Sequence, residues 1–202
     1  MKLSKKQLEV AKLQVSQLRK EPDFYDKLSG AEYNAFRCFI DKPNKILELG
    51  CGLGRMSVYL SKQFEHEPEF ILADYDEISE KLRYGWNPGD IRYNKLEETR
   101  QFCIDNGLKR FELFNLAERD IIELKDIDLV ISVMAVGFHY PIEQYMDKLI
   151  DITTDDVVMI FGIRRYKDIY DINSFEDYFR VRITTLIDLD IKECMLILRD
   201  KI

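Results

Sequence analysis

The apolar positions of the amino-terminal segment recur at helical spacing. Leu8, Ala11, Val15 and Leu18 fall on one stripe and predict an amphipathic helix over residues 4–19, ended by Pro22. A second helix is predicted from Gly30 to Ile40, and the turn-forming run Asp41-Lys42-Pro43-Asn44 breaks the chain after it. From Lys45 onward the pattern changes to short apolar runs alternating with helical stripes. KILEL (45–49), EFILADYD (69–76), FELFN (111–115), IDLVISV (127–133) and DVVMIFGI (156–163) read as strands. Between them, Met56, Tyr59, Leu60 and Phe64 share one helical face, and KLEETRQFCIDNGL reads as a helix stopped at Gly107. Ile142, Tyr145, Met146, Leu149 and Ile150 mark a further helix. The last two strand-like runs, FRVRITTLID and KECMLILRD, are joined by too few residues for a crossover helix, so they should pair antiparallel. The expectation is a doubly wound, Rossmann-like α/β sheet of seven strands with the last strand antiparallel.

Composition narrows the class without changing this picture. The chain has 202 residues, 46% hydrophobic and 33% charged, as expected of a globular domain. No window approaches 18 consecutive apolar residues, and the basic start MKLSKKQLEVAKLQ lacks the apolar run of a signal peptide. Cys38, Cys51, Cys103 and Cys194 lie far apart without metal-ligand spacing and read as reduced residues of a cytoplasmic protein. Residues 1–20 hold six Lys or Arg against one acid, Glu9, which leaves −12 on the rest of a chain whose total is −7. An acidic body repels phosphate backbones, so nucleic acid is not expected as the main partner.

The chemistry concentrates at the end of the first strand. Gly50, Gly52 and Gly54 stand in a strand-to-helix turn, where ligands of open α/β sheets bind. The dinucleotide fingerprint would require glycine at position 55, where Arg55 stands, and no G-K-[ST] follows to make a P-loop. Asp74, 24 residues after Gly50, is near the offset of an acid that binds ribose hydroxyls, and Asp76 is close enough to compete. This arrangement resembles the class I S-adenosylmethionine-dependent methyltransferases, whose acidic-x-G-x-G-x-G motif is matched by Glu48, Gly50, Gly52 and Gly54, with Cys51 and Arg55 in the same turn. The resemblance covers Lys45 to the last strand. It implies S-adenosylmethionine as cofactor, held by that turn, by Asp74-Tyr75-Asp76 after strand two, by Asn115-Leu116 after strand three and by Ser132-Val133 after strand four. It divides the chain into an N-terminal helical extension or lid (1–41) and a methyltransferase domain (42–202).

The run after strand four, SVMAVGFHYPIEQYMDKL, and the loop YGWNPGDIRYN look similar to bacterial sugar O-methyltransferases. That likeness implies a small-molecule acceptor, a sugar or nucleotide-sugar. The Asn/Asp-Pro-Pro-Tyr site of amino-methylating relatives is not matched, nor are the clustered metal ligands of catechol-type enzymes, so no metal is expected. His139, just past strand four, is the candidate general base, because imidazole with its ordinary pKa of about 6.5 is mostly neutral at cytosolic pH. Tyr140 is a candidate pocket wall. The long loop Glu77–Asn94 carries Trp86 and Tyr93, which either stack on an acceptor or pack the loop down. Arg164 and Arg165, after strand five, are either phosphate-holding groups or surface charge. Methylation of an amine, and cofactor binding without catalysis, are the alternatives. Oligomeric state and the acceptor's identity are left open.

Overall fold

A computed structural model of the protein describes residues 1–15, 21, 23–79, 92–164, 173–185 and 193–202. Seven strands form one sheet: β1 (Lys45–Leu49), β2 (Glu69–Asp74), β3 (Phe111–Asn115), β4 (Ile127–Ser132), β5 (Thr153–Arg164), β6 (Arg180–Thr185) and β7 (Glu193–Arg199), in the order β3-β2-β1-β4-β5-β7-β6. The pairs β1–β2, β1–β4, β2–β3 and β4–β5 are parallel, and β7 is antiparallel to both β5 and β6. The doubly wound sheet with a reversed last strand is the expected one.

The largely apolar runs of β1, β2 and β4 are explained by burial on both faces. On one face Ile46, Phe70, Leu72, Leu129 and Ile131 pack under α1 (Lys5–Gln14), α2 (Phe24–Phe36), α3 (Arg55–Ser61) and α4 (Leu96–Asp105). On the other, Leu47, Leu49, Ile71 and Val130 meet Met146, Leu149 and Ile152 of α5 (Glu143–Ile152) and Phe175 of the short α6 (Asn173–Glu176). Val10, Ala11, Phe24, Leu28 and Phe36 belong to the same core as Ile46 and Leu129, so the N-terminal helices are built into the sheet's packing. Among the described residues no helix is long and apolar enough to cross a membrane.

The helices depart from expectation at their boundaries. α1 begins where Ser4 and Gln7 form a reciprocal capping box, and its buried side is Gln7, Val10 and Ala11, followed by Val15. Leu8 is only half-buried, while Leu18 and Pro22 lie outside the described residues. α2 begins at Phe24 instead of Gly30, because Phe24, Leu28 and Ala31 already form a buried helical stripe. Gly30 is internal to α2, where a Cβ would sit 3.3 Å from the Tyr59 hydroxyl of α3; the glycine marks a close helix contact and not a helix start. Residues 37–39 form a 3₁₀ turn.

Candidate active site

β1 delivers its chain end into a turn that crosses the carboxyl edge of the sheet. The Gly50 and Cys51 amides both donate to the Ala73 carbonyl at the end of β2, which fixes the turn to the neighbouring strand. Gly50 has φ +70°, and a Cβ there would lie 2.1 Å from the Ala135 Cβ, so only glycine lets the segment after β4 approach this closely. Asp74 closes the turn: its carboxylate accepts from the Gly52 amide at 2.7 Å, the Tyr75 amide at 2.7 Å and the Asn94 side chain at 3.4 Å. Burial pushes Asp74 up to about 6, against the opposing pull of those donors.

Beneath the turn lie two further acids and one cation. Glu48 accepts from the Ser57 amide at 2.9 Å and from the Ser57 hydroxyl, and burial raises it to about 7. Arg55 forks onto Glu32 with both terminal nitrogens, donates to Ser29 Oγ at 3.0 Å and lies 5.6 Å from the Tyr25 ring centre. Burial alone would push the guanidinium's pKa down, but the Glu32 carboxylate outweighs it and keeps Arg55 charged.

The opposite wall is the segment after β4. The Ala135 carbonyl accepts from the amides of Phe138, His139 and Tyr140, and the Gly137 amide donates to the Tyr140 carbonyl. This tight loop puts the His139 ring 5.9 Å from the Tyr93 ring and 5.0 Å from Phe138, centre to centre. Between turn and loop is a cavity of about 370 Å³, within the range of small-molecule sites.

Of the residues singled out by the sequence, Glu48, Gly50, Cys51, Gly52, Arg55, Asp74, Tyr75, Tyr93, Leu116, Val133, His139 and Tyr140 line this one cavity. Gly54, Asp76, Asn115 and Ser132 are not among its lining residues. Gly54 begins α3 against Leu72 and Cys103; Asp76 accepts from the Leu96 amide at the start of α4; Asn115 accepts from the Ala117 amide and turns the chain after β3. Ser132 spends its hydroxyl on backbone groups. Arg164 is the last residue of β5, and Trp86 and Arg165 lie outside the described residues.

Three residues of the site were not among the binding residues expected from the sequence. Gln14, at the end of α1, has its amide 2.8 Å from where a Gly52 Cβ would be, and accepts from the Tyr25 hydroxyl at 3.2 Å. Tyr25 itself would be read as one more apolar position of a helix. Asn94 is buried at the end of a long loop, where it donates to the Gly52 carbonyl at 2.7 Å and to Thr99 Oγ1 at 3.1 Å. Among the described residues no group of three His, Cys, Asp or Glu side chains is placed to hold a metal ion.

No protein-family model and no curated protein sequence matches the chain. Solved structures do. A methyltransferase of Geobacter sulfurreducens superposes with a TM-score of 0.58 at 17% identity, over 95% of this chain and 87% of that one. The fold is a methyltransferase fold. A SAM-dependent methyltransferase of Thermotoga maritima shares it, with a TM-score of 0.56 at 13% identity over 96% of this chain and 99% of its own. So does an rRNA methylase of Streptococcus thermophilus, with a TM-score of 0.51 at 11% identity over 86% and 94%. At such identities the likeness is one of architecture and does not by itself specify an acceptor.

Proposed function

We propose that the chain is an S-adenosylmethionine-dependent methyltransferase acting on a hydroxyl of a small polar molecule, with His139 as general base. The observation that carries this is the convergence of the glycine turn, Asp74 and His139 on one cavity. The cofactor fits what the residues offer. The turn presents backbone bare of side chains at Gly50 and Gly52, and a carboxylate has about four acceptor sites, of which Gly52, Tyr75 and the long contact from Asn94 take three. Vicinal ribose hydroxyls would displace Asn94, which keeps the Gly52 carbonyl and Thr99 as partners. When bound, S-adenosylmethionine supplies an activated methyl group on a sulfonium.

The protein's own residues supply the rest. A nitrogen of His139 takes the proton of the acceptor hydroxyl, while Phe138 and Tyr140 wall the site from water. The N-terminal helices, whose Gln14 and Tyr25 line the cavity, act as its cover. A sugar is the acceptor we favour, on the likeness of residues 132–149 and 84–94 to sugar O-methyltransferases. The net −12 beyond residue 20 opposes a nucleic-acid acceptor, and the wide spacing of the four cysteines along the chain favours a reducing compartment such as the cytoplasm.

Titration calorimetry tests the cofactor. S-adenosylmethionine should bind more tightly than a nicotinamide dinucleotide, and Asp74→Ala should weaken it by about 10–100-fold through loss of a charge-assisted acceptor. Unchanged affinity in a folded Asp74→Ala chain would remove the basis of the proposal.

The pH dependence is a separate check. Asp74 ionises at about 6 in the folded chain against an ordinary 3.8, so its ionisation costs folding stability: the contribution is present below about 4 and lost as pH rises through about 6. Cofactor binding needs the ionised form and runs the other way. Its affinity should rise by up to about tenfold per pH unit on approach to pH 6 from below, then level. Asp74→Asn should flatten that rise while leaving the contribution of Glu48, near 7, in place.

A further inference from the structure

We propose that Ser132 is a positioning residue, whose hydroxyl ties the loop carrying His139 to the cofactor turn so that the two move as one frame. The inference rests on the methyltransferase reading for its function, although its geometry stands independently.

Backbone pairing between β1 and β4 stops at Glu48 and Ile131. The next carbonyl, that of Leu49, would be left without a partner in the strand ladder. Ser132 Oγ donates to it at 2.6 Å and accepts from the Val136 amide at 2.9 Å, both within a fully buried environment. One hydroxyl therefore serves as donor to the residue before Gly50 and as acceptor for the loop. From there the loop is closed on itself, because the Ala135 carbonyl accepts from the His139 amide at 2.7 Å. Two short steps thus link Leu49 to the backbone of His139.

Packing reinforces the same connection. The absent Cβ of Gly50 would fall 2.1 Å from the Ala135 Cβ, so turn and loop are in direct contact. On the far side, a Cβ at Gly162 of β5 would fall 2.1 Å from the Val133 carbonyl oxygen, and one at Gly137 would fall 2.8 Å from the Gly162 carbonyl oxygen. The loop is wedged between β1 and β5 by shape, and Ser132 is a polar link between its start and the end of β1. A serine suits this work because a single hydroxyl can donate and accept at once. Alanine in its place would leave a buried amide and a buried carbonyl without their partner, and the loop would move to recover one of them.

The test uses the full chain with Ser132→Ala, and its main readout is independent of activity. The protein has two histidines, so ring resonances in a histidine-labelled sample separate into His139 and His66. His66, beside the Pro43 carbonyl at 2.7 Å, is the internal control. The His139 signals should shift or broaden while those of His66 stay, and Val136 amide exchange should quicken by about tenfold. With cofactor and acceptor, kcat should fall by about tenfold while cofactor affinity stays within about threefold, the signature of a misplaced base instead of a lost binding group. Unmoved His139 signals in a folded Ser132→Ala chain would overturn the proposal, as would cofactor affinity falling in step with kcat. Should Ser132→Ala fail to fold, Ser132→Cys, of similar size but a weaker hydrogen-bonding group, is read by the same two signals. If the wild-type chain neither binds S-adenosylmethionine nor transfers a methyl group, the proposed function fails, and the His139 signals still decide the role of Ser132.

Discussion

His139→Ala should lower methyl transfer by about 10²–10⁴-fold, the usual cost of losing a general base, and leave cofactor affinity nearly unchanged. Binding is spared because the turn and Asp74 are held by groups other than His139: the Ala73 carbonyl, Tyr75 and Asn94. The fold is spared because His139 is half-buried and its loop is fixed through backbone atoms, chiefly the Ala135 carbonyl. What is lost is the one imidazole lining the cavity. Single-turnover kinetics with saturating cofactor isolate the transfer step from product release. Wild-type transfer in His139→Ala would return this residue to a structural role beside Tyr93 and Phe138, and Tyr140→Phe would then be the next variant to measure.

Glu32→Ala should destabilise the fold by about 3–5 kcal/mol, because it leaves a buried guanidinium without its counter-charge. Arg55 is 5% exposed and Glu32 is not exposed at all, so water cannot replace the missing carboxylate. Ser29 Oγ remains as one acceptor, and the Tyr25 ring is 5.6 Å from the guanidinium, but neither carries charge. Urea unfolding should show a lower midpoint with little change in slope. A double substitution, Glu32→Leu with Arg55→Met, should recover most of the loss, since an apolar pair of similar volume avoids burying two charges. If Glu32→Ala alone were neutral, the pair would be contributing no more than an exposed one, with water reaching the guanidinium in place of the carboxylate.

The sequence revealed the sheet better than the helices, for a physical reason. Strands such as Ile127–Ser132 are buried on both faces and so read as apolar runs with no phase to misjudge. A helix shows its phase only through a few stripe positions, and a glycine within it suggests a boundary. At Gly30 that suggestion misled, because the glycine answers to Tyr59 on another helix. The same divide runs through the site. That the glycine turn, Asp74 and His139 lie together at the carboxyl edge of the sheet was legible, because their spacing along the chain encodes where strands end. The pairing of Glu32 with Arg55 was not, since Arg55 reads as part of the glycine turn, Glu32 alone reads as surface charge, and their contact joins α2 to α3 across 23 residues. Gln14 and Tyr25 enter the cavity by the docking of the N-terminal helices, which no local pattern records. Ser132 was legible as a strand end but not as a group whose hydroxyl is consumed by the backbone.

The position of β7 has a consequence for how the molecule is made. It lies between β5 and β6 yet follows both in the chain. During synthesis the strands that carry the glycine turn, Asp74 and His139 have all emerged by the time β5 is complete. A nascent chain halted after Thr185 would hold those elements but expose the open edge of β5, with β6 lacking its partner on that side. Unpaired edges of this kind invite intermolecular pairing. The final strand therefore acts as a closing seam. The residues that frame the cavity can gather early, but the facing edges of β5 and β6 are satisfied only when Glu193–Arg199 slides between them.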